Sequence, residues 1–276
     1  MKIFDCFPFF NELSLLDMRL NYLNKVVNKF VIIEGTHSHQ GKLKKLYYDE
    51  NKSLFKKYEY KIIHIIQDSY PKHFGDTHSA FIYDYHTRNG ISKGLRKCFD
   101  SDVIMISDVD EFPDVGKFNL FNGDLTIFKH LMFYFKFNLR VKNFDYDNGD
   151  GLWPGTRMLK FELFKNIINV QKIRNIRAKK YGWWRFDKPK VNIISYGGWH
   201  FRFIGSAKEL KYELENRAIG RGENILSTYS EFDIKKIVEK QLPFTTKEEK
   251  YEIYPISKMP NFIKLNQNKY KDLLII

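Results

Sequence analysis

The sequence predicts an α/β domain on a mostly parallel sheet with helices on both faces, followed by a C-terminal helical and wrapping tail. Short runs that are apolar at nearly every position, such as "KFVIIE" (29–34) and "DVIMIS" (102–107), recur in the N-terminal part. Segments with apolar residues at helical spacing lie between them. Strands that are apolar on both sides and separated by helices mark a parallel sheet covered on both faces.

In order, "KIFDCF" (2–7) predicts the first strand and "NELSLLDMRLNYL" (11–23) a helix, with Leu13, Leu16, Leu20 and Leu23 on one face and Asn11 as its cap. Strands follow at 29–34 and 60–66, a helix at 77–99 with Ile91, Leu95 and Cys98 sharing a face, and a strand at 102–107. Further on, 124–141 reads as one or two aromatic strands, 156–165 as a strand and 167–177 as a helix. "VNIISYGGWHFRFI" (191–204) reads as a strand pair broken at Gly197-Gly198, and 206–218 as a helix capped by Ser206. The expected division is a domain at 1–225 with a C-terminal helix and tail, 226–276, packed on it.

Composition narrows the classes. The chain has 276 residues, 43% hydrophobic and 17% aromatic, enough for a sizeable core and unlike a disordered chain. No run approaches the roughly 18 apolar residues a membrane helix needs. The N-terminus reads as a strand and not as a signal peptide. Two cysteines, Cys6 and Cys98, make no disulfide framework and suit a cytoplasmic location. Net charge is +13, from 46 Lys+Arg against 33 Asp+Glu, yet no basic run marks a nucleic-acid tail, and no nucleic-acid partner is expected.

The chemistry gathers in "VIMISDVDEFP" (103–113), where a buried strand runs into three carboxylates. Alternate residues of an extended backbone point the same way, so Asp108 and Asp110 can converge on one ligand. Two carboxylates with phosphate oxygens form an oxygen cage suited to Mg²⁺ or Mn²⁺, and a solvated acidic turn is the plainer alternative. Arg88 extends the buried face that holds Ile91 and Leu95, so it needs an anionic partner, either a diphosphate or the carboxylates themselves. His200, in "GGWHF" (197–201), is a ligand type for such an ion or a structural imidazole. Parallel sheets bind ligands at the carboxyl ends of their strands, where Asn11, Glu12, Glu34 and the acidic cluster all fall.

These residues carry a resemblance. "FPFFNELSLLDMRLNYL", "FVIIEGTHSHQGKLKKLYY", "RNGISKGL", "DVIMISDVDEFP", "WPGTR" and "GGWHFRFIG" resemble, in order, stretches of glycosyltransferase family 17, over residues 1 to about 215. The resemblance implies a GT-A-like fold, a UDP-sugar donor with GlcNAc as the first candidate, a glycan or glycoconjugate acceptor, a divalent metal and inversion at the anomeric carbon. It implies a metal held by Asp108, Asp110 and His200. Asn11, Glu12, Glu34, Arg88, Asn89 and Asp108 would bind the donor, and Asp187 or Glu111 would take the acceptor proton. Two other classes share the acidic cluster: a metal-dependent nuclease or phosphoesterase, and a sugar-binding protein without turnover.

Overall fold

The computed structural model of the chain describes residues 1–145, 149–179, 189–218 and 224–275. Its elements, in order, are β1 (Ile3–Phe9), α1 (Leu13–Leu23), β2 (Lys29–Gly35), α2 (Tyr47–Glu50), β3 (Ile62–Gln67) and α3 (Thr77–Asn89). Next come β4 (Val103–Ile106), β5 (Glu111–Pro113), β6 (Leu125–Tyr134), β7 (Leu139–Val141), β8 (Trp153–Lys160), α4 (Phe161–Ile167) and α5 (Val170–Arg174). The last are β9 (Val191–Arg202), α6 (Ala207–Asn216), α7 (Glu231–Lys240), β10 (Tyr251–Ile253) and α8 (Asn261–Lys264).

The strands form one sheet in the order β10-β7-β6-β8-β4-β1-β2-β3, with β9 pairing both β5 and β6. The half formed by β3, β2, β1 and β4 is parallel. Phe7, Phe9, Phe30 and Ile32 pack with the leucines of α1 in one core. Phe4, Cys6, Val31 and Ile33 pack on the other face with Ile91, Leu95, Val170 and Ile173. Burial on both faces explains why these strands lack polar alternation.

The other half departs from the expected parallel pattern. β7, β8 and β10 pair antiparallel with their neighbours, and β9 runs parallel to β6. Only Phe135–Asn138 joins β6 to β7, far too short for the crossover that a parallel pair requires. The C-terminal segment is more than a wrapping tail, because β10 extends the sheet.

Other differences are local. Glu12 occupies the N-cap position of α1 and no side chain bonds there, so Asn11 does not cap the helix. The helix expected over 77–99 stops at Asn89 and tightens into a 3-10 turn over Gly90–Leu95. A Cβ on Gly90 would lie 2.9 Å from both Ile33 and Gln67, so this glycine lets the turn press on the sheet. The strand expected over 156–165 begins earlier and gives way to α4 at Phe161. Residues 191–202 are one continuous strand, with a register shift against β6, rather than a broken pair. Ser206 caps α6 in a full capping box with Glu209, as expected. No helix among the described residues is long and apolar enough to cross a membrane.

Candidate active site

The carboxyl ends of β1, β2 and β4 open on a cavity of about 1160 Å³ lined by Glu12, Arg88, Asp108, Asp110, His200 and Glu213, among others. β4 delivers Asp108 and Asp110 to it. Just before them, Ser107 is sealed in the core by a 2.9 Å hydrogen bond to Thr156.

Two arginines hold Asp108. Arg88 donates to Oδ1 and Arg174 to Oδ2, the latter at 2.9 Å. Arg88 also donates to Asp84 at 3.1 Å. Burial works against a charge on Asp108, yet the two guanidiniums outweigh it and hold the carboxyl well below the usual carboxylate range. Burial likewise opposes charge on Arg88, and Asp108 and Asp84 more than offset it.

Asp110 sits differently. Its Oδ2 lies 3.1 Å from His200 Nε2. The pairing of β5 with β9 brings His200 there, opposite Glu111. Asp110 Oδ1 and His200 Nδ1 are buried with no hydrogen-bond partner among the described residues. No ready-made group of three or more His, Cys, Asp or Glu side chains that could hold a metal occurs among the described residues. The donor set nonetheless fits a divalent ion at Asp110, whose Oδ1 is buried without a partner among the described residues, with the His200 imidazole beside it and substrate oxygens completing the shell. Asp108, expected as a metal ligand too, instead has each oxygen committed to a guanidinium.

The remaining expected residues separate into two groups. Glu12 reaches the cavity, where its Oε2 accepts from the backbone N–H groups of Phe10 (3.2 Å) and Asn11 (3.0 Å). Burial, with the charge of Glu213 added, pushes its carboxyl up to about 7. Asn11 sits half-buried in the same turn, outside the cavity lining. Glu34 is fully buried beneath the loop after β2, accepting from the Tyr48 N–H at 3.0 Å and lying 3.2 Å from His64. It braces that loop and does not face the cavity. Asn89 is also structural: its Oδ1 accepts from the Gln171 N–H at 3.0 Å and ties α5 to the end of α3.

Glu111 is a correction. It is fully buried and accepts from Arg174, from the indole N–H of Trp153 (2.5 Å) and from the backbone N–H of Asp108 (3.0 Å). A carboxylate committed in this way is an anchor, not a proton acceptor for a substrate. Asp187, with Trp183 and Trp184 beside it, lies outside the described residues.

Two arginines escaped the sequence reading. Arg174 follows Ile173 on the buried face of α5, and Arg19 lies between Leu16 and Leu20 on the buried face of α1. The rule that singled out Arg88, a guanidinium on an apolar helix face, applies to both. On the opposite wall, Glu249 accepts from the N–H groups of Phe244 (2.7 Å), Thr245 (3.0 Å) and Thr246 (3.2 Å), which folds the Thr245–Glu249 turn against the cavity.

A mixed sheet whose parallel half presents an Asp-x-Asp turn, braced by arginines, to a large cavity at its carboxyl edge defines the class as an α/β protein with a candidate site at that edge. The sequence profile of glycosyltransferase family 17 matches residues 1–155, and the chain belongs to that family. The beta-1,4-mannosyl-glycoprotein 4-beta-N-acetylglucosaminyltransferase of Homo sapiens is 30% identical over 110 residues, 37% of this chain and 20% of that protein. Its Mus musculus counterpart is 29% identical over the same share. The matched region thus spans a fifth of these relatives' length. Among solved structures, the Francisella tularensis 2-C-methyl-D-erythritol 4-phosphate cytidylyltransferase is similar at a TM-score of 0.39 and 10% identity, over 77% of this chain and 98% of that one. Glucosyl-3-phosphoglycerate synthase from Mycobacterium tuberculosis, in complex with Mn²⁺, UDP and phosphoglyceric acid, scores 0.34 at 11% identity, over 92% of this chain and 87% of that one. Likenesses this low add nothing to the argument.

Proposed function

We propose that this chain transfers a sugar, with GlcNAc as the first candidate, from a UDP-sugar to a glycan or glycoconjugate acceptor, with inversion at the anomeric carbon. One observation carries the reading: in a family 17 chain, the Asp108-Val109-Asp110 turn lies at the carboxyl end of β4 and lines the large cavity. The cytoplasmic location belongs to this proposal, as does the division into a GT-A-like domain, 1–225, and an adjunct, 226–276.

Asp110 and His200 would hold Mn²⁺ or Mg²⁺, which when bound supplies Lewis-acid stabilisation of the departing diphosphate. Arg88, oriented by Asp84 and Asp108, places fixed positive charge at the same wall. Glu12 lies where the nucleoside would be read.

Thermal shift with UDP-, GDP- and dTDP-sugars, each with and without Mn²⁺, tests the donor, because specific binding stabilises the fold by mass action. Protection by UDP-GlcNAc with Mn²⁺, and UDP release on adding a glycan acceptor, are expected. Protection by nucleic acid alone would overturn the reading in favour of a nuclease or phosphoesterase. UDP-sugar binding without UDP release on any acceptor would favour a silent sugar-binding protein.

A further inference from the structure

We propose that Glu213, on α6, is the catalytic base that takes the proton from the acceptor hydroxyl. The inference rests on the transferase reading above and supplies the group that reading leaves unnamed.

Among the described residues, most of the cavity's other carboxylates are committed elsewhere, and Asp187 lies outside those residues. Asp108 is divided between two arginines, and Asp84 is held by Arg88. Asp110 faces His200, Glu12 binds its own turn, and Glu249 organises the 245–249 loop. Asp145 and Glu248 are exposed at the rim. Glu213 lines the cavity half-buried, and its partner among the described residues is Arg217, one turn along its own helix, at 3.3 Å. Such an i,i+4 ion pair is weak, so an incoming hydroxyl can compete for the carboxylate.

The helix that carries it is fixed over the site. The Tyr212 ring stacks on Phe10, at the end of β1, with centroids 5.8 Å apart. The carbonyl of Asn216 accepts from the His39 N–H at 2.9 Å, and the carbonyl of Arg217 from the Gln40 side chain at 2.8 Å. The Ala218 N–H donates to His39 Nδ1 at 2.9 Å. Three bonds to the loop after β2 and one ring stack thus hold α6 and the residues just after it against the end of β1, with Glu213 in the cavity lining.

The electrostatics suit a base. Burial pushes the Glu213 carboxyl up, Arg217 and Arg202 pull it down, and Asp110 adds to the rise. Glu12 acts on the same space from the turn after β1. A carboxylate raised toward neutrality accepts a proton more readily than an ordinary surface glutamate. In the step itself, a Glu213 oxygen takes the hydroxyl proton as the acceptor oxygen bonds to the anomeric carbon. The bond from that carbon to the diphosphate breaks, and its electron pair leaves with the nucleoside diphosphate.

The test joins titration to kinetics. In ¹³C-Glu-labelled protein, comparison with Glu213→Gln assigns the Glu213 signal, which is expected to titrate above the ordinary glutamate value of about 4.3. Glu213→Gln is expected to cut kcat for transfer roughly 10²- to 10⁴-fold while UDP still protects the protein with Mn²⁺. Glu213→Asp, which keeps the charge, is expected to retain part of the rate and to shift the acid limb of the kcat–pH profile. Wild-type kcat in a folded Glu213→Gln would overturn the assignment. UDP protection of the wild type reports on the donor reading separately, so failure of that reading is distinguishable from failure of the base.

Discussion

Arg19 donates to both carboxylate oxygens of Asp5, at 2.7 and 2.6 Å, with both side chains wholly excluded from water. The same guanidinium donates to the backbone carbonyls of Asp108 (3.2 Å) and Glu111 (2.6 Å). One core arginine therefore ties the first strand to the turn that carries the site.

Removing one partner of a buried ion pair leaves the other uncompensated. Arg19→Met is expected to cost about 3–5 kcal/mol in urea unfolding. It should also weaken UDP protection, because the acidic turn loses its brace. A variant of wild-type stability would show that the pair contributes little.

Asp108 and Asp110 should separate by experiment. Asp110→Asn is expected to abolish the Mn²⁺-dependent protection by UDP and to leave the melting temperature close to wild type. Asp108→Asn is expected to lower the melting temperature more, since Arg88 and Arg174 lose their shared counter-charge. The reverse ranking in a thermal-shift series would put the metal on Asp108.

His200→Ala is expected to reduce Mn²⁺ affinity by on the order of 10–100-fold, the range typical of disturbed metal sites. It should also flatten the preference for Mn²⁺ over Mg²⁺, since nitrogen is the softer donor. Calorimetric titration of both ions checks it; an unchanged preference would mark His200 as purely structural.

Two glycines of the family stretches share one neighbour. A Cβ on Gly155 would fall 2.3 Å from the ring of His130, and one on Gly198 would fall 2.9 Å from the same ring and 2.2 Å from the Phe112 carbonyl. Gly155→Ala and Gly198→Ala are each expected to destabilise by at least about 1–3 kcal/mol, as overpacking does. Equal urea midpoints for variant and wild type would show that the strands yield.

His39 gives a pH dependence. Burial holds its imidazole below the ordinary value, and Nδ1 accepts the Ala218 N–H, which a protonated ring could not do. The unfolded chain binds this proton below about pH 6.5 and the folded chain resists it, so stability is present above that pH and declines below it. Unfolding midpoints of wild type and His39→Gln between about pH 7.5 and 5.5 check the sign, the variant showing the shallower slope.

Much of this was legible in the sequence. The parallel half could be read because burial on both faces leaves continuous apolar runs, and the Asp-x-Asp turn because it ends one of them. The antiparallel half was harder, since aromatic runs such as Leu125–Tyr134 do not reveal their partners. Arg88 was found from its place on an apolar helix face; Arg19 and Arg174 obey the same rule and were missed because each sits among strong leucine or isoleucine signals. Glu34 and Glu111 were misjudged for one reason. Position at a strand's carboxyl edge does not say whether a side chain turns into the cavity or back into the core.

The turn organised by Glu249 bears on how this protein could be re-engineered. Part of the cavity wall comes from β9 and α6, and β9 hydrogen-bonds along both β5 and β6. That wall cannot be exchanged as a cassette without tearing the sheet. Thr245–Glu249 is different, because its backbone donors close on a carboxylate within the same short segment. It is the natural place to graft variants or build a library, provided Glu249 is kept.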